Sequence, residues 1–77
     1  MDRESIFDGV KRAFLEVFDY DQIDETSVPD DVEQWDSMGH LSLVSELEDE
    51  FNISITVSES MRMASVSDII DIVLEKV

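Results

Sequence analysis

Trp35-Asp36-Ser37-Met38-Gly39-His40-Leu41 places a carboxylate, a hydroxyl and an imidazole within five consecutive positions. Those three groups could make a nucleophilic triad. The spacing argues against it. On a helix, His40 lies about 300° round from Ser37 and turns toward the core side, as a partly buried polar residue near the preceding loop. Asp36 stands where an N-cap belongs. No glycine-rich elbow precedes the serine to build an oxyanion hole. A different chemistry fits better. Ser37 sits where an acidic loop gives way to a helix-period pattern, so its hydroxyl stands at the positive end of a helix and can carry an anionic group. The plain reading, a serine that merely helps start a helix, is comparable on these residues alone.

A metal centre is the other chemistry to weigh. Asp19-Tyr20-Asp21-Gln22-Ile23-Asp24 begins like a calcium loop. It then fails at three positions: Ile23 replaces the fifth ligand, Asp24 the required glycine, and Asp30 the terminal glutamate. No specific metal site is expected, and only weak divalent binding by clustered acids remains.

The elements that hold Ser37 follow from hydrophobic periodicity. Ile6, Val10, Ala13, Phe14, Val17 and Phe18 share one face of a helix from about Arg3 to Phe18, with Asp2 as N-cap. From Asp19 to Trp35 the period dissolves into a long loop. Its apolar residues Ile23, Val28, Val32 and Trp35 should pin it across the helices, with a short helical turn after Pro29. A second helix runs from Ser37 or Met38 to Phe51. Leu43, Leu47 and Phe51 form its core face, while Ser37, Leu41, Val44 and Glu48 lie on an adjacent strip. Thr56-Val57-Ser58-Glu59 reads as a capping box opening a short helix that ends near Arg62. Ser65 caps a last helix that buries Val66, Ile69, Ile70, Val73 and Leu74. The expected fold is all-α: a small four-helix bundle with three longer helices, one short helix and a long first loop, as one domain over residues 1–77.

Charge bounds the partners. The 77 residues hold 20 acids against 5 Lys and Arg, a formal net charge of -15. Between Ala13 and Met61 there is no Lys or Arg, and 14 acids. Such a surface repels nucleic acid and anionic lipid and steers basic partners toward itself. There is no cysteine, which suits a reducing compartment. No apolar run approaches the ~18 residues of a membrane span. The start, Met1-Asp2-Arg3-Glu4, lacks the basic region of a secretory signal. A soluble, cytoplasmic monomer is expected.

With these residues in view, Asp36-Ser37-Met38 at the head of the second helix resembles the Asp-Ser-Leu signature of acyl carrier proteins and related carrier domains. The resemblance covers essentially the whole chain, in length, acidity, helix order and the apolar positions Leu43, Leu47, Phe51, Ile55, Val66 and Ile70. It implies that Ser37 is the attachment point for 4'-phosphopantetheine, placed there from coenzyme A by a phosphopantetheinyl transferase. The arm's thiol would hold an acyl group, so a chain without cysteine could do thioester chemistry without being an enzyme itself. The cargo would shelter in a groove lined by Leu43, Leu47, Phe51 and Ile70. Acyl-activating or acyl-transferring enzymes with basic surfaces would dock on Asp36, Met38, Leu41, Val44, Glu48, Asp49 and Ile55. Met38 replaces the usual leucine, and Gly39-His40, Ser42 and Ser45 depart from housekeeping fatty-acid carriers. These departures imply a dedicated carrier in a specialised lipid, polyketide or surface-polymer pathway. An aminoacyl carrier (D-alanyl or peptidyl) is the nearest alternative. An acidic helical adaptor or divalent-ion binder is the alternative of another class.

Overall fold

A computed structural model describes all residues, 1–77. Its elements are α1 (Arg3–Phe18), a 3-10 turn (Pro29–Asp31), α2 (Ser37–Phe51), α3 (Val57–Met61) and α4 (Val66–Lys76). There are no strands. The molecule is the small helical bundle expected from the periodicity, with helices of 16, 15, 5 and 11 residues.

The caps explain the boundaries. Asp2 accepts the Ser5 N–H, Asp36 that of Gly39, Thr56 that of Glu59 and Ser65 that of Asp68, so every helix begins on a side-chain oxygen. The Thr56–Glu59 capping box is reciprocal: the Glu59 carboxylate accepts the Thr56 N–H at 2.9 Å. α1 and α2 both stop on a left-handed residue, Asp19 (φ 53) and Asn52 (φ 55). Their N–H groups return to the carbonyls of Leu15 and Glu48. Asp and Asn tolerate that conformation better than branched residues do, so no glycine is needed at either end.

α1 packs on both α2 and α4. Sixteen buried apolar residues form one core, with Ile6, Val10, Phe14, Leu43, Leu47, Val66, Ile69, Ile70 and Val73 at its centre. Gly9 lets Phe51 of α2 lie directly on α1: a Cβ there would run into the Phe51 ring. Phe51 is half-buried rather than part of the sealed core face. The Phe14 ring meets Phe18 at 5.5 Å and Trp35 at 5.1 Å, both edge to face, joining the loop to the core.

The long loop is held at more points than its apolar residues alone predict. Ile23, Val32 and Trp35 are buried as expected, but Val28 is exposed and does not pin. Its backbone N–H instead binds the Asp31 carboxylate across the 3-10 turn. Further on, the carbonyls of Ser27 and Glu25 accept the N–H groups of Val66 and Ser67, so the loop crosses the first turn of α4 and satisfies its donors. Arg3 closes the same corner. Its guanidinium reaches Glu25, Asp71 and Ser67, tying α1, the loop and α4 together. No helix is long and apolar enough to cross a membrane.

Candidate functional site

Ser37 is the first residue of α2 and is exposed. Three neighbours place it. The Asp36 carboxylate accepts the Gly39 N–H at 2.8 Å and closes the first turn. Gly39 lies against the Gln34 carbonyl and the Phe18 ring so closely that any Cβ would collide with that carbonyl. Trp35 anchors the approach, buried against Phe14. The helix therefore starts where it does because the loop is pressed onto it by Trp35 and Gly39. Ser37 and Met38, as the first two helical residues, have no intrahelical acceptor for their N–H groups. That leaves the positive end of the helix beside the hydroxyl, a field that favours an anion.

Ser37 opens onto a cleft of about 760 Å³ between the 3-10 turn, the start of α2 and α3. Trp35 and Met63 form its buried side. Leu41, Val57 and Met61 stand on its rim, 69%, 78% and 80% exposed. Asp30, Glu33 and Asp36 add negative charge along the outer edge.

His40 lines this cleft with both ring nitrogens engaged. The Trp35 indole N–H donates to its Nδ1 at 2.8 Å, and its Nε2 lies 2.9 Å from the Ser60 carbonyl. An indole can only donate and a carbonyl can only accept, so the pair fixes the neutral ring with its hydrogen on Nε2. The imidazole thus joins the loop, α2 and α3. It has no nitrogen left for Ser37, and the Asp36 carboxylate is committed to its cap. The Asp-Ser-His set does not assemble as a triad. Likewise, Asp24 of the calcium-like run accepts from Thr26 and Ser27 within its own turn. The Thr26 hydroxyl, and then its N–H, hold the Asp24 carboxyl below the usual aspartate range. No three His, Asp or Glu side chains are grouped to hold a metal ion.

The residues read as a docking face divide into two groups. Met38, Leu41 and Asp49 are exposed on α2, with Asp36 at its head. Val44 and Ile55 are half-buried against the core. The Glu48 carboxylate accepts the Ile55 N–H at 2.8 Å and fastens the chain leading into α3. Val57 and Met61 escaped the sequence reading. The signal was present: two apolar residues four apart on a five-residue helix, with no partner stripe to bury against. Of the residues implied to line a cargo groove, Leu43, Leu47 and Ile70 are fully buried and Phe51 is half-buried.

The surrounding field is strongly negative. Arg3, Arg12 and Lys76 are taken up in ion pairs with Glu25 and Asp71, Glu50 and Glu59. Lys11 lies over the Phe7 ring at 5.6 Å. α2 contains no Lys or Arg. Partial burial, then repulsion from Glu16, Asp49 and Glu50, pushes the Glu46 carboxyl above its ordinary value.

The sequence matches no family model and no curated protein.

Proposed function

We propose that the protein is a carrier of acyl groups, tethered through 4'-phosphopantetheine on the Ser37 oxygen. The observation that carries the reading is the exposed hydroxyl of Ser37 at the free N-terminal end of α2, beside a cleft with an apolar wall. A transferase would remove the hydroxyl proton. Ser37 Oγ would attack the phosphorus of coenzyme A that bears the pantetheine, forming a phosphate ester and releasing adenosine 3',5'-bisphosphate. The new phosphate would sit beside the unpartnered N–H groups of the helix start. The arm's terminal thiol would supply the sulfur that the chain lacks, on which an acyl group could be held as a thioester.

Delivery needs partners that recognise the domain without holding it. Met38, Leu41, Val57 and Met61 offer apolar contacts next to the tether, and Asp36 and Asp49 offer carboxylates around them. Basic residues on a transferase or acyl-transferring enzyme would meet these carboxylates, speeding encounter more than deepening affinity. The role fits a cytoplasmic monomer in a specialised lipid, polyketide or surface-polymer pathway.

The test is incubation with coenzyme A and a broad-specificity phosphopantetheinyl transferase, followed by peptide mapping. One phosphopantetheinyl group on the Ser37 peptide, absent in Ser37→Ala, supports the proposal. Folded protein that takes up none overturns it.

A further inference from the structure

The cleft beside Ser37 and the core behind it are separated by a specific set of bonds. On the Ser37 side, His40 spans from α2 to the Ser60 carbonyl of α3 and is locked in place by the Trp35 N–H. At the other end of the same seam, Glu48 of α2 holds the Ile55 N–H just before α3. The α2–α3 seam is thus pinned at both ends. Behind it Leu43, Leu47, Val66 and Ile70 have no exposed surface. A chain passing from Ser37 between α2 and α3 into the core would break the imidazole bridge, leaving the indole N–H and the Ser60 carbonyl short of partners, and would displace the buried side chains behind it.

The cleft itself offers an easier seat. Its apolar contacts come from Trp35, Leu41, Val57, Met61 and Met63. The rest of the lining is polar or charged, with Asp30, Glu33, Asp36, Ser37 and Ser60, so only one wall of the cleft is apolar. A longer chain would overrun it and leave apolar surface in water, which is unfavourable in proportion to the area exposed.

Taking the tether on Ser37 as its premise, we propose that His40 bars the passage between α2 and α3, so that the cargo rests in the outer cleft and the domain carries short acyl groups rather than long chains. His40 acts here as a positioning residue, through the indole and the α3 backbone, and not on the reacting atoms.

The experiment loads the full chain with acetyl-, butyryl-, octanoyl- or hexadecanoyl-pantetheine from the matching acyl-coenzyme A. Intact mass verifies each adduct. Methyl NMR then follows Leu43, Leu47 and Ile70 in the core and Leu41 and Met61 on the cleft rim. In wild type, the rim methyls and the Trp35 indole N–H shift on acylation. The core methyls stay at their positions in the unacylated, pantetheine-bearing form for every chain length, and Tm does not climb with chain length. In His40→Ala, the octanoyl chain shifts the core methyls. His40→Gln, whose amide can accept from Trp35 and donate to Ser60, behaves as wild type. Core methyls that move with octanoyl or hexadecanoyl in wild type overturn the proposal, even if the alanine variant fails to fold. So does a folded His40→Ala that still excludes the chain. Failure to form any adduct removes the Ser37 tether, and the cargo inference falls with it. An adduct whose chain enters the wild-type core overturns the cargo inference alone.

Discussion

α3 and α4 follow one another in the chain, yet they are held in opposite ways. α4 buries Val66, Ile69, Ile70, Ile72 and Val73 against α1 and the rest of the core, and the long loop satisfies its first N–H groups. α3 buries nothing. Polar ties hold it: its own capping box, the Lys76–Glu59 ion pair and the His40–Ser60 hydrogen bond. A 77-residue chain without disulfides has few apolar side chains to spend, and here they go to α1, α2, α4 and the connecting loops. What remains exposed beside Ser37 is Leu41, Val57 and Met61, and α3, which carries the last two, is held by polar ties. The contrast teaches that the scaffold and the presenting face are built from different interactions, and so should fail separately.

The largest test of that contrast sets Ile70→Ala against Met61→Ala. The first leaves a cavity in the core and should cost ~2–5 kcal/mol in denaturant unfolding. The second removes an exposed side chain and should change stability by less than ~0.5 kcal/mol. Equal costs would erase the distinction. Next comes the joint between the two regions. Gly39→Ala forces the start of α2 away from the Gln34 carbonyl, so it should cost ~1–3 kcal/mol and also slow modification of Ser37. A variant that loses stability but is modified at the wild-type rate would show that the loop does not position the hydroxyl.

Smaller effects sharpen the picture on the α3 side. Thr56→Ala removes the cap and should cost ~1 kcal/mol, seen as faster amide exchange in α3 while α4 stays protected. Acid should act the same way. The Thr56 N–H, and then Lys76, hold the Glu59 carboxyl below the ordinary glutamate range. Its stabilisation is therefore complete above the unfolded-state value and is lost as pH falls through the lowered native one. Exchange in α3 should rise before that in α4 on acidification. Glu46 has the opposite sign. Its raised pKa means that the folded state favours the protonated form, so its contribution is full at low pH and is lost as pH climbs through the raised value. Glu46→Gln should gain ~0.3 kcal/mol at neutral pH, the scale of one relieved i,i+4 repulsion with Glu50, and the gain should vanish in acid. A loss at neutral pH would show that the α2 acids do not strain the fold.

Much of the scaffold was legible because it rests on local signals. Asp2, Asp36, Thr56 and Ser65 are cap residues by type, and the stripes of α1 and α4 carry a clear helical period. The turn after Pro29 also follows from residue type. Other features depend on distant partners and leave no local trace. Val28 reads as a pin but faces solvent, because the neighbouring backbone follows the Asp31 cap. Glu48 and Val44 read as surface on a helical wheel, yet the chain entering α3 folds over the one and the core reaches the other. His40 was legible as half-buried but not as a bridge, since its partners lie five residues before it and twenty after. Of the residues implied to line a cargo groove, Leu43, Leu47 and Ile70 are sealed in the core while Phe51 is half-buried. The wheel shows which residues face inward and not how tightly they close.

The central claim is that the Ser37 oxygen is a tether, and intact mass of the protein purified from its own cells tests it most directly. The account predicts a species heavier than the sequence by one phosphopantetheinyl group, with or without an acyl load, that disappears when Ser37→Ala is expressed in the same cells. Wild-type protein found only at its sequence mass, and still unmodified after exposure to coenzyme A and an active transferase, would contradict it.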